Sequence, residues 1–194
     1  FVKSKNLNFK RWYGSIIRTG DDKLVMVGGE EVITTELSTT PEIIDLNNID
    51  DGWQLLDKAN SYDLFGDHET NSWYYPRSYL ASDGNIVGVS YNKIWVMDKS
   101  DDYRVRKTGE IPLVSGGIAK IIESVNPNSK KEYKHKLKLM TIGSPVGESS
   151  SSVMIEKDQV LFFGGKQLGD EYSPSNKVLK IDFSDSNSPK IEEL

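Results

Sequence analysis

The chain has 194 residues, of which 37% are apolar and 27% charged, and its formal net charge is −5. This composition is typical of a globular domain with a sizeable core, and its mild acidity argues against nucleic acid or an anionic membrane as the main partner. The sequence contains no cysteine, which excludes disulfides, thiolate catalysis and cysteine-ligated metal sites within it. No apolar run reaches the roughly 18–20 residues that a membrane-spanning helix needs.

The first predicted element is a β-hairpin in the stretch 11–29. Two short apolar runs, 15–18 and 24–27, flank a polar turn that contains Asp21 and Asp22. Two β-branched runs joined by such a turn are typical of a hairpin. The pair Gly28-Gly29 then ends the second strand, because glycine tolerates positive φ and provides no side chain to pack.

The same pattern recurs 62 residues later, around the turn at Asp83-Gly84. This offset aligns Tyr13 with Tyr75, Ile17 with Tyr79, and Val25 with Val87. Each hairpin is followed by a third apolar run and a fourth short segment, at 41–46 and 52–56 in the first copy and at 93–98 and 103–107 in the second. Four short strands per unit predict a blade of antiparallel sheet.

Two further units follow. The third has apolar runs at 118–122 and 136–142 around a polar insertion, 123–135, and a Ser-rich connection that leaves little room for outer strands. The fourth has runs at 152–155, 160–165 and 177–183. The predicted fold is therefore all-β: a partial kelch-type β-propeller of about four blade-like four-stranded units, 8–60, 61–112, 113–148 and 149–194, with no convincing helix.

A propeller normally closes with about 4–8 blades. The chain is therefore expected to be a segment of a larger ring, to pair with a second copy, or to close as a rare small ring. An incomplete ring by itself would leave two sheet flanks exposed. Of the three arrangements, a segment of a ring of six or seven blades is favoured.

The triplet Arg11-Trp12-Tyr13, followed by the hairpin and its Gly-Gly stop, resembles the glyoxal oxidase and galactose oxidase family. Those proteins are copper-radical oxidases built on a kelch propeller. The resemblance continues through 74–76 and 82–84, and more weakly through 141–145 and 163–165. Only the Arg-Trp-Tyr triplet is specific to the family, since Gly-Gly stops are common to kelch proteins.

The resemblance implies a set of roles. Tyr13 matches the tyrosine that binds copper, is cross-linked to a cysteine and holds the radical, and Arg11 would be a positioning residue. Copper would be the cofactor, and an extracellular parent protein would oxidise aldehydes or primary alcohols and produce hydrogen peroxide. The sequence has only two histidines, His68 and His135, and neither follows a tyrosine. Most of the metal site would then lie outside this chain, which alone would be inactive.

The alternative is a non-catalytic propeller that binds protein or glycan through its loop faces. Tyr13 is then an ordinary inner-strand aromatic residue, and the candidate binding surface comprises Trp12, Tyr74, Tyr75 and the insertion 123–135. Three further tryptophans could be sugar-stacking platforms or core residues: Trp53, Trp73 and Trp95. The core is the commoner place for such residues in a propeller blade. A cluster of acidic residues and histidine at 67–69 is interpreted as a polar loop rather than a metal site. The expected partners are further blades or a second copy, and a carbohydrate or small aldehyde or alcohol.

Overall fold

The computed structural model describes residues 4–31, 36–67, 70–112, 114–122, 135–142, 150–165 and 176–194. These residues form three four-stranded antiparallel sheets and one two-stranded hairpin. The first sheet contains β1 (Ser15–Arg18), β2 (Lys23–Val27), β3 (Glu42–Asp45) and β4 (Gln54–Leu55). The second contains β5 (Arg77–Leu80), β6 (Ile86–Ser90), β7 (Lys93–Asp98) and β8 (Arg104–Glu110). The hairpin is formed by β9 (Val114–Ile122) and β10 (His135–Ile142), and the third sheet by β11 (Ser151–Glu156), β12 (Gln159–Phe163), β13 (Val178–Asp182) and β14 (Lys190–Glu193).

Strand order within each four-stranded sheet follows the chain, so every connection is between neighbours. Three sheets of this kind, with the hairpin β9–β10 between the second and third along the chain, have the architecture of a β-propeller-like fold. The predicted four units correspond, among the described residues, to three four-stranded sheets and one hairpin. The insertion at 123–134 lies outside the described residues.

Strand register confirms the repeat that the sequence predicts. Ile17 pairs with Val25 in the first sheet, and Tyr79 pairs with Val87 in the second, 62 residues further on. The third sheet repeats the pair as Val153 and Leu161, 136 residues after the first. The intervening turns all place one residue at positive φ, at Asp22 (57°), Gly84 (86°) and Asp158 (62°). This left-handed position suits Gly, Asn and Asp, which explains the choice of turn residues.

The core lies between the sheets in two layers. One layer joins the first sheet to the second and is built around Val25, Val27, Ile86, Trp95 and Met97. The other joins the second sheet directly to the third; its buried side chains include Val87, Val96, Val160, Phe162 and Ile181. The second sheet is thus covered on both faces, and its strand β6 is buried at every position.

Trp95 belongs to this core and cannot stack on a sugar. Its side chain is fully buried, and its indole Nε1 donates to Ser90 Oγ at 2.9 Å. The ring packs directly against Gly88, where an added Cβ would lie 2.3 Å from a ring atom. Trp73 is also buried, at 8% exposure, whereas Trp53 is half-buried. The core interpretation is therefore correct for Trp95 and Trp73.

The sequence predicts no helix, but the described residues include one α-helical turn, α1 (Tyr62–Phe65), between the first and second sheets. Ser61 caps it by accepting the backbone N–H of Leu64, and the turn buries Leu64 and Phe65. The Phe65 ring meets Trp95 edge-on at 5.3 Å. Four residues are too few to show a 3.6-residue period, so the pattern could not reveal this turn. Within the described ranges, no helix is long and apolar enough to cross a membrane.

Candidate functional site

The first strands of the three sheets converge on one groove of about 460 Å³. β1, β5 and β11 each contribute residues to its walls, and the loop before β5 forms its rim. The lining residues are Ser15, Ile16, Tyr75, Pro76, Arg77, Ser78, Tyr79, Ser150, Ser151 and Ser152. We call this the inner groove. Five serine hydroxyls, two phenols and one guanidinium make it rich in hydrogen-bonding groups.

Arg77 is the only charged residue among the described residues that line the inner groove. Its Nη1 donates to the carbonyl oxygen of Tyr75 at 2.6 Å, and its Nη2 donates to the carbonyl oxygen of Ser150 at 2.7 Å. These bonds fix the planar group between the second and third sheets. Burial lowers the pKa of Arg77, and nearby tyrosines, Tyr79 above all, oppose that shift; no carboxylate among the described residues contributes to it. The guanidinium nevertheless stays charged at neutral pH and has N–H groups beyond the two that bind carbonyls.

Tyr79 forms the floor between the same two sheets. Its hydroxyl donates to Ser152 Oγ, and its ring meets Phe162 edge-on at 6.3 Å. Burial raises the pKa of Tyr79, while the bond to Ser152 and the charge of Arg77 oppose the rise. The phenol is therefore neutral at physiological pH and acts as a hydrogen-bonding group.

An aromatic patch lies beside the inner groove and is formed by Trp12, Tyr13, Tyr74 and Tyr75. The Tyr13 ring lies 3.7 Å from Trp12, 4.8 Å from Tyr74 and 5.0 Å from Tyr75, measured between centroids. Trp12 and Tyr75 are 46% and 41% exposed, and Tyr13 and Tyr74 are half-buried. The structure thus brings together four of the five site residues that the sequence indicated. Tyr75 also lines the inner groove, so patch and groove are continuous.

The backbone holds the patch in an uncommon conformation. Tyr13 has φ of 60° and Tyr75 has φ of 45°, and bulky residues rarely adopt this region. Trp12 and Glu30 exchange backbone hydrogen bonds of 2.8 and 3.0 Å, and Tyr75 N–H donates to the carbonyl oxygen of Tyr13 at 2.9 Å. Such conformations cost about 1–3 kcal/mol each and concentrate at ligand-binding sites. Tyr91 and Tyr103 also have positive φ, so it is the conformation together with the position beside the inner groove that marks Tyr13 and Tyr75 as functional candidates.

Arg11, the fifth residue, points away from the patch into a buried ion pair with Glu42. Both side chains are fully buried, and Arg11 Nε donates to Glu42 Oε1 at 2.9 Å. The guanidinium also binds the carbonyl oxygens of Gly28, Ser38 and Thr40. This network closes the loop after β2 onto the segment that carries Trp12 and Tyr13. Arg11 thus has a structural role here, and a positioning role in catalysis stays a prediction.

The described residues do not by themselves fit a copper centre. Tyr13 offers one phenol oxygen, but the described part of the chain contains no group of three His, Cys, Asp or Glu side chains that could hold a metal ion. His135 is the first residue of β10, more than 50 residues after the last residue of the aromatic patch in the sequence. His68 and Glu69 lie outside the described residues. Asp67 lies near Lys93 Nζ, at 3.7 Å, and accepts from Thr70.

Sequence reasoning missed Arg77 and its serine neighbours. In the aligned repeats Arg77 occupies the first position of β5, where β1 has Ser15 and β11 has Ser151. The sequence signal that could have identified Arg77 is that one repeat has an arginine where the other two have a serine. Glu42 was also missed, because a charged residue at the start of an apolar strand usually faces water.

No protein-family model and no curated protein matches the chain. Among solved structures, one match is a novel fungal alcohol oxidase with catalytic diversity among the AA5 family, in complex with copper. The two chains share 13% identity with a TM-score of 0.41, and the match covers 95% of this chain and 42% of that chain. The present chain therefore spans less than half the length of that oxidase.

Proposed function

We propose that this chain supplies the ligand-binding groove of a propeller related to the galactose and glyoxal oxidases. The ligand is a small molecule with hydroxyl or carbonyl oxygens: a primary alcohol, an aldehyde or a carbohydrate. The observation that carries this proposal is the Arg77 guanidinium, which lies in the inner groove with no carboxylate partner among the described residues.

The chemistry of the groove matches such a ligand. The remaining N–H groups of Arg77 donate to ligand oxygens, and the serine hydroxyls both donate and accept. The exposed rings of Trp12 and Tyr75 provide flat apolar surfaces at the rim, which complement the C–H face of a sugar or a short carbon chain. The groove is shallow and open to solvent, and it shares with small-molecule sites a few fixed polar groups beside aromatic surfaces.

The oxidase form of the proposal assigns Tyr13 to the copper-binding, radical-carrying tyrosine of the resembled family. Copper, when bound in such a parent protein, would supply the oxidation of an alcohol or aldehyde by oxygen. The other metal ligands would have to come from outside the described residues, and the parent protein would be extracellular. In this chain, Arg77 and the serines bind and orient the substrate beside Tyr13.

The non-catalytic form keeps the same groove and assigns it to glycan binding. It is favoured by one observation, the packing of the Tyr13 ring among Trp12, Tyr74 and Tyr75. A phenol in such a patch contributes aromatic surface without any metal. The two forms share the binding step, and only the oxidase form adds a chemical step after it.

Titration of the purified chain with D-galactose, glycerol and glycolaldehyde tests the shared step, with Trp fluorescence and ligand-observed NMR as readouts. We expect at least one probe to bind, and Arg77→Ala to weaken that binding by about 10–100-fold, the usual cost of losing a charged hydrogen bond. The control is Arg104→Ala, since Arg104 is exposed and pairs with Asp101 on the rim of the second sheet. Absence of binding by all three probes, or equal effects of the two substitutions, would overturn the proposal.

Peptide mapping of the copper-loaded parent protein separates the two forms. A Tyr13 peptide joined to a cysteine peptide from elsewhere supports the oxidase. An unmodified Tyr13 peptide in a preparation that binds the sugar supports the glycan-binding form.

A further inference from the structure

A second concave site lies between the first and second sheets, at the ends of the strands opposite the inner groove. The inner groove contains Ser15, at the open end of the β1–β2 hairpin, whereas this site contains Lys23, next to the turn of that hairpin. We call it the turn cleft. It has a volume of about 280 Å³ and is more enclosed than the inner groove. Its main polar lining residues are Lys23, Asp45, Asp51, Gln54, Asp102 and Tyr103.

Tyr103 brings an unsatisfied hydroxyl group to the turn cleft. The residue directly precedes β8, is only 7% exposed, and its ring belongs to the core layer between the first two sheets. Its hydroxyl is buried and makes no hydrogen bond within the described part of the chain. Burial raises the pKa of Tyr103, and the charges of Asp21, Lys23 and Asp102 also act on it, so the hydroxyl lies on the side of the ring that faces the cleft. Buried hydroxyls nearly always have a partner, so this one indicates a binding position.

The turn cleft also has an excess of negative charge. Three carboxylates line it, those of Asp45, Asp51 and Asp102, and none of them forms an ion pair with a residue in the described ranges. Lys23 supplies the one ammonium group among the described lining residues, and its Nζ pairs at 3.2 Å with Asp21, which is not part of the lining. The three carboxylates therefore face the cleft without a counter-ion from the described residues.

The spread of these charges favours an organic cation over a metal ion. Within the described residues, no three His, Cys, Asp or Glu side chains are close enough together to hold one metal ion. The N–H groups of an ammonium, by contrast, can donate to separate carboxylates and to a phenol oxygen. The remaining walls include Ile43, Leu55 and Leu56, which provide apolar contact for a short carbon chain.

We infer that the turn cleft binds a short aliphatic primary amine, best a diamine, with the Tyr103 hydroxyl and the lining carboxylates as its hydrogen-bond acceptors. The site is separate from the inner groove and does not depend on the function proposed for that groove. All its lining residues come from two neighbouring sheets, between Lys23 at the start of β2 and Tyr103 before β8. The purified chain therefore carries the whole proposed site.

Isothermal titration calorimetry and ligand-observed NMR of the full chain with 1,4-diaminobutane test the inference, with 1,4-butanediol as the neutral probe of matched shape. We expect the diamine to bind at least about tenfold more tightly than the diol, and Tyr103→Phe to weaken diamine binding by about tenfold, the usual effect of losing a hydrogen bond to a charged group. Tyr62→Phe is the control, because Tyr62 is exposed on α1 and lies outside the cleft. Urea unfolding without ligand should show Tyr103→Phe to be at least as stable as the wild type, since it removes a buried hydroxyl that has no partner. A purely structural role of that hydroxyl predicts the opposite, a loss of stability with unchanged binding.

Two charge variants test the role of the carboxylates. Asp51→Asn and Asp102→Asn each remove one charge from the lining, and asparagine tolerates the φ of 52° at position 102. We expect each to weaken diamine binding by about threefold to tenfold, and the control Asp50→Asn to leave it unchanged, since Asp50 is exposed beside Asp51 but outside the lining. Equal effects of Asp50→Asn and Asp51→Asn would mean that the diamine follows the overall charge of the chain, and the inference would be wrong. Absence of diamine binding, equally tight binding of the diol, or a Tyr103→Phe chain with full affinity would each overturn it.

Discussion

Tyr75 donates its backbone N–H to the carbonyl oxygen of Tyr13 at 2.9 Å, and the two tyrosines occupy the same position in two successive sheets. Each comes two residues before the first strand of its sheet, and each has positive φ. The repeat therefore places two strained tyrosines side by side at the mouth of the inner groove. A surface of this kind requires two adjacent sheets, since neither copy of the motif builds it alone.

The close approach between the first two sheets predicts a sharp difference between two glycines. Gly28 has φ of 66°, and a Cβ there would lie 2.6 Å from Pro76 Cγ and 2.7 Å from the carbonyl oxygen of Trp73. Gly84 has φ of 86° but nothing closer than 3.8 Å among the described residues. We expect Gly84→Ala to cost about 1 kcal/mol of unfolding free energy, from backbone strain alone. We expect Gly28→Ala to cost about 1–3 kcal/mol more, from overpacking. Urea unfolding measures both, and equal midpoints would contradict the prediction.

The buried pair between Arg11 and Glu42 predicts a large effect of removing one charge. We expect Arg11→Met to reduce the free energy of unfolding by about 3–5 kcal/mol, because it leaves Glu42 buried without its partner. Lys10→Met is the control, since Lys10 is exposed and pairs with Glu31 on the surface. Adding Glu42→Met to Arg11→Met should restore only part of the loss, because Glu42 also accepts the backbone N–H of Asn8 at 2.6 Å. Full recovery in urea unfolding would show that the carboxylate has no other role.

Asp158 connects the second and third sheets. We therefore expect its substitution to lower the free energy of unfolding more than the same substitution at Asp22. Its carboxylate accepts from the backbone N–H of Ser82 at 2.6 Å and from Ser82 Oγ at 2.5 Å, and it is buried. Asp22 holds the same turn position in the first sheet, but its side chain is 51% exposed. Asparagine tolerates the positive φ at both sites, so the substitution isolates the carboxylate. We expect Asp158→Asn to cost about 1.5–3 kcal/mol and Asp22→Asn less than about 1 kcal/mol. Thermal unfolding at pH 7 distinguishes them, and a larger loss at Asp22 would be inconsistent with the structure.

The carboxylate of Asp21 takes part in a contact between the first and second sheets, and we expect this contact to weaken at acid pH. The Thr19 hydroxyl, and after it Lys99 and Lys23, hold the pKa of Asp21 well below its usual value. A lowered folded-state pKa means that the stabilisation is present above the unfolded pKa, about 3.9, and is lost as the pH falls below it. We expect Thr19→Val to raise the pKa of Asp21 and to reduce this acid-side loss. Carboxyl-carbon NMR titration measures the pKa. Thr108→Val is the control, since the Thr108 hydroxyl has no hydrogen-bond partner within the described part of the chain. An unchanged pKa of Asp21 in Thr19→Val would show that the Thr19 hydroxyl does not lower it.

Much of the fold could be predicted from the sequence. Alternating apolar residues, polar turns and Gly-Gly stops have a local physical cause, so the strands and the 62-residue offset were recoverable from pattern alone. The register of Ile17 with Val25 and of Tyr79 with Val87 was recoverable too, because shifting a strand by one residue would expose its apolar face. The clustering of Trp12, Tyr13, Tyr74 and Tyr75 was also accessible, since the alignment placed Tyr13 and Tyr75 at equivalent positions.

The tertiary structure alone decided which role each of these residues has. Whether Trp95 lies in the core or on the surface depends on the tertiary structure. Its indole is buried because Gly88 leaves space for the ring and two sheets enclose it. Arg11 looks like a partner of Tyr13 in the sequence, yet it turns inward because Glu42, 31 residues away, offers a compensating charge. The inner groove needs residues from three sheets, and Arg77 acquires its place there only when Ser150, 73 residues away, provides a carbonyl oxygen. Local patterns determined the strands, whereas long-range burial and hydrogen bonding determined the site.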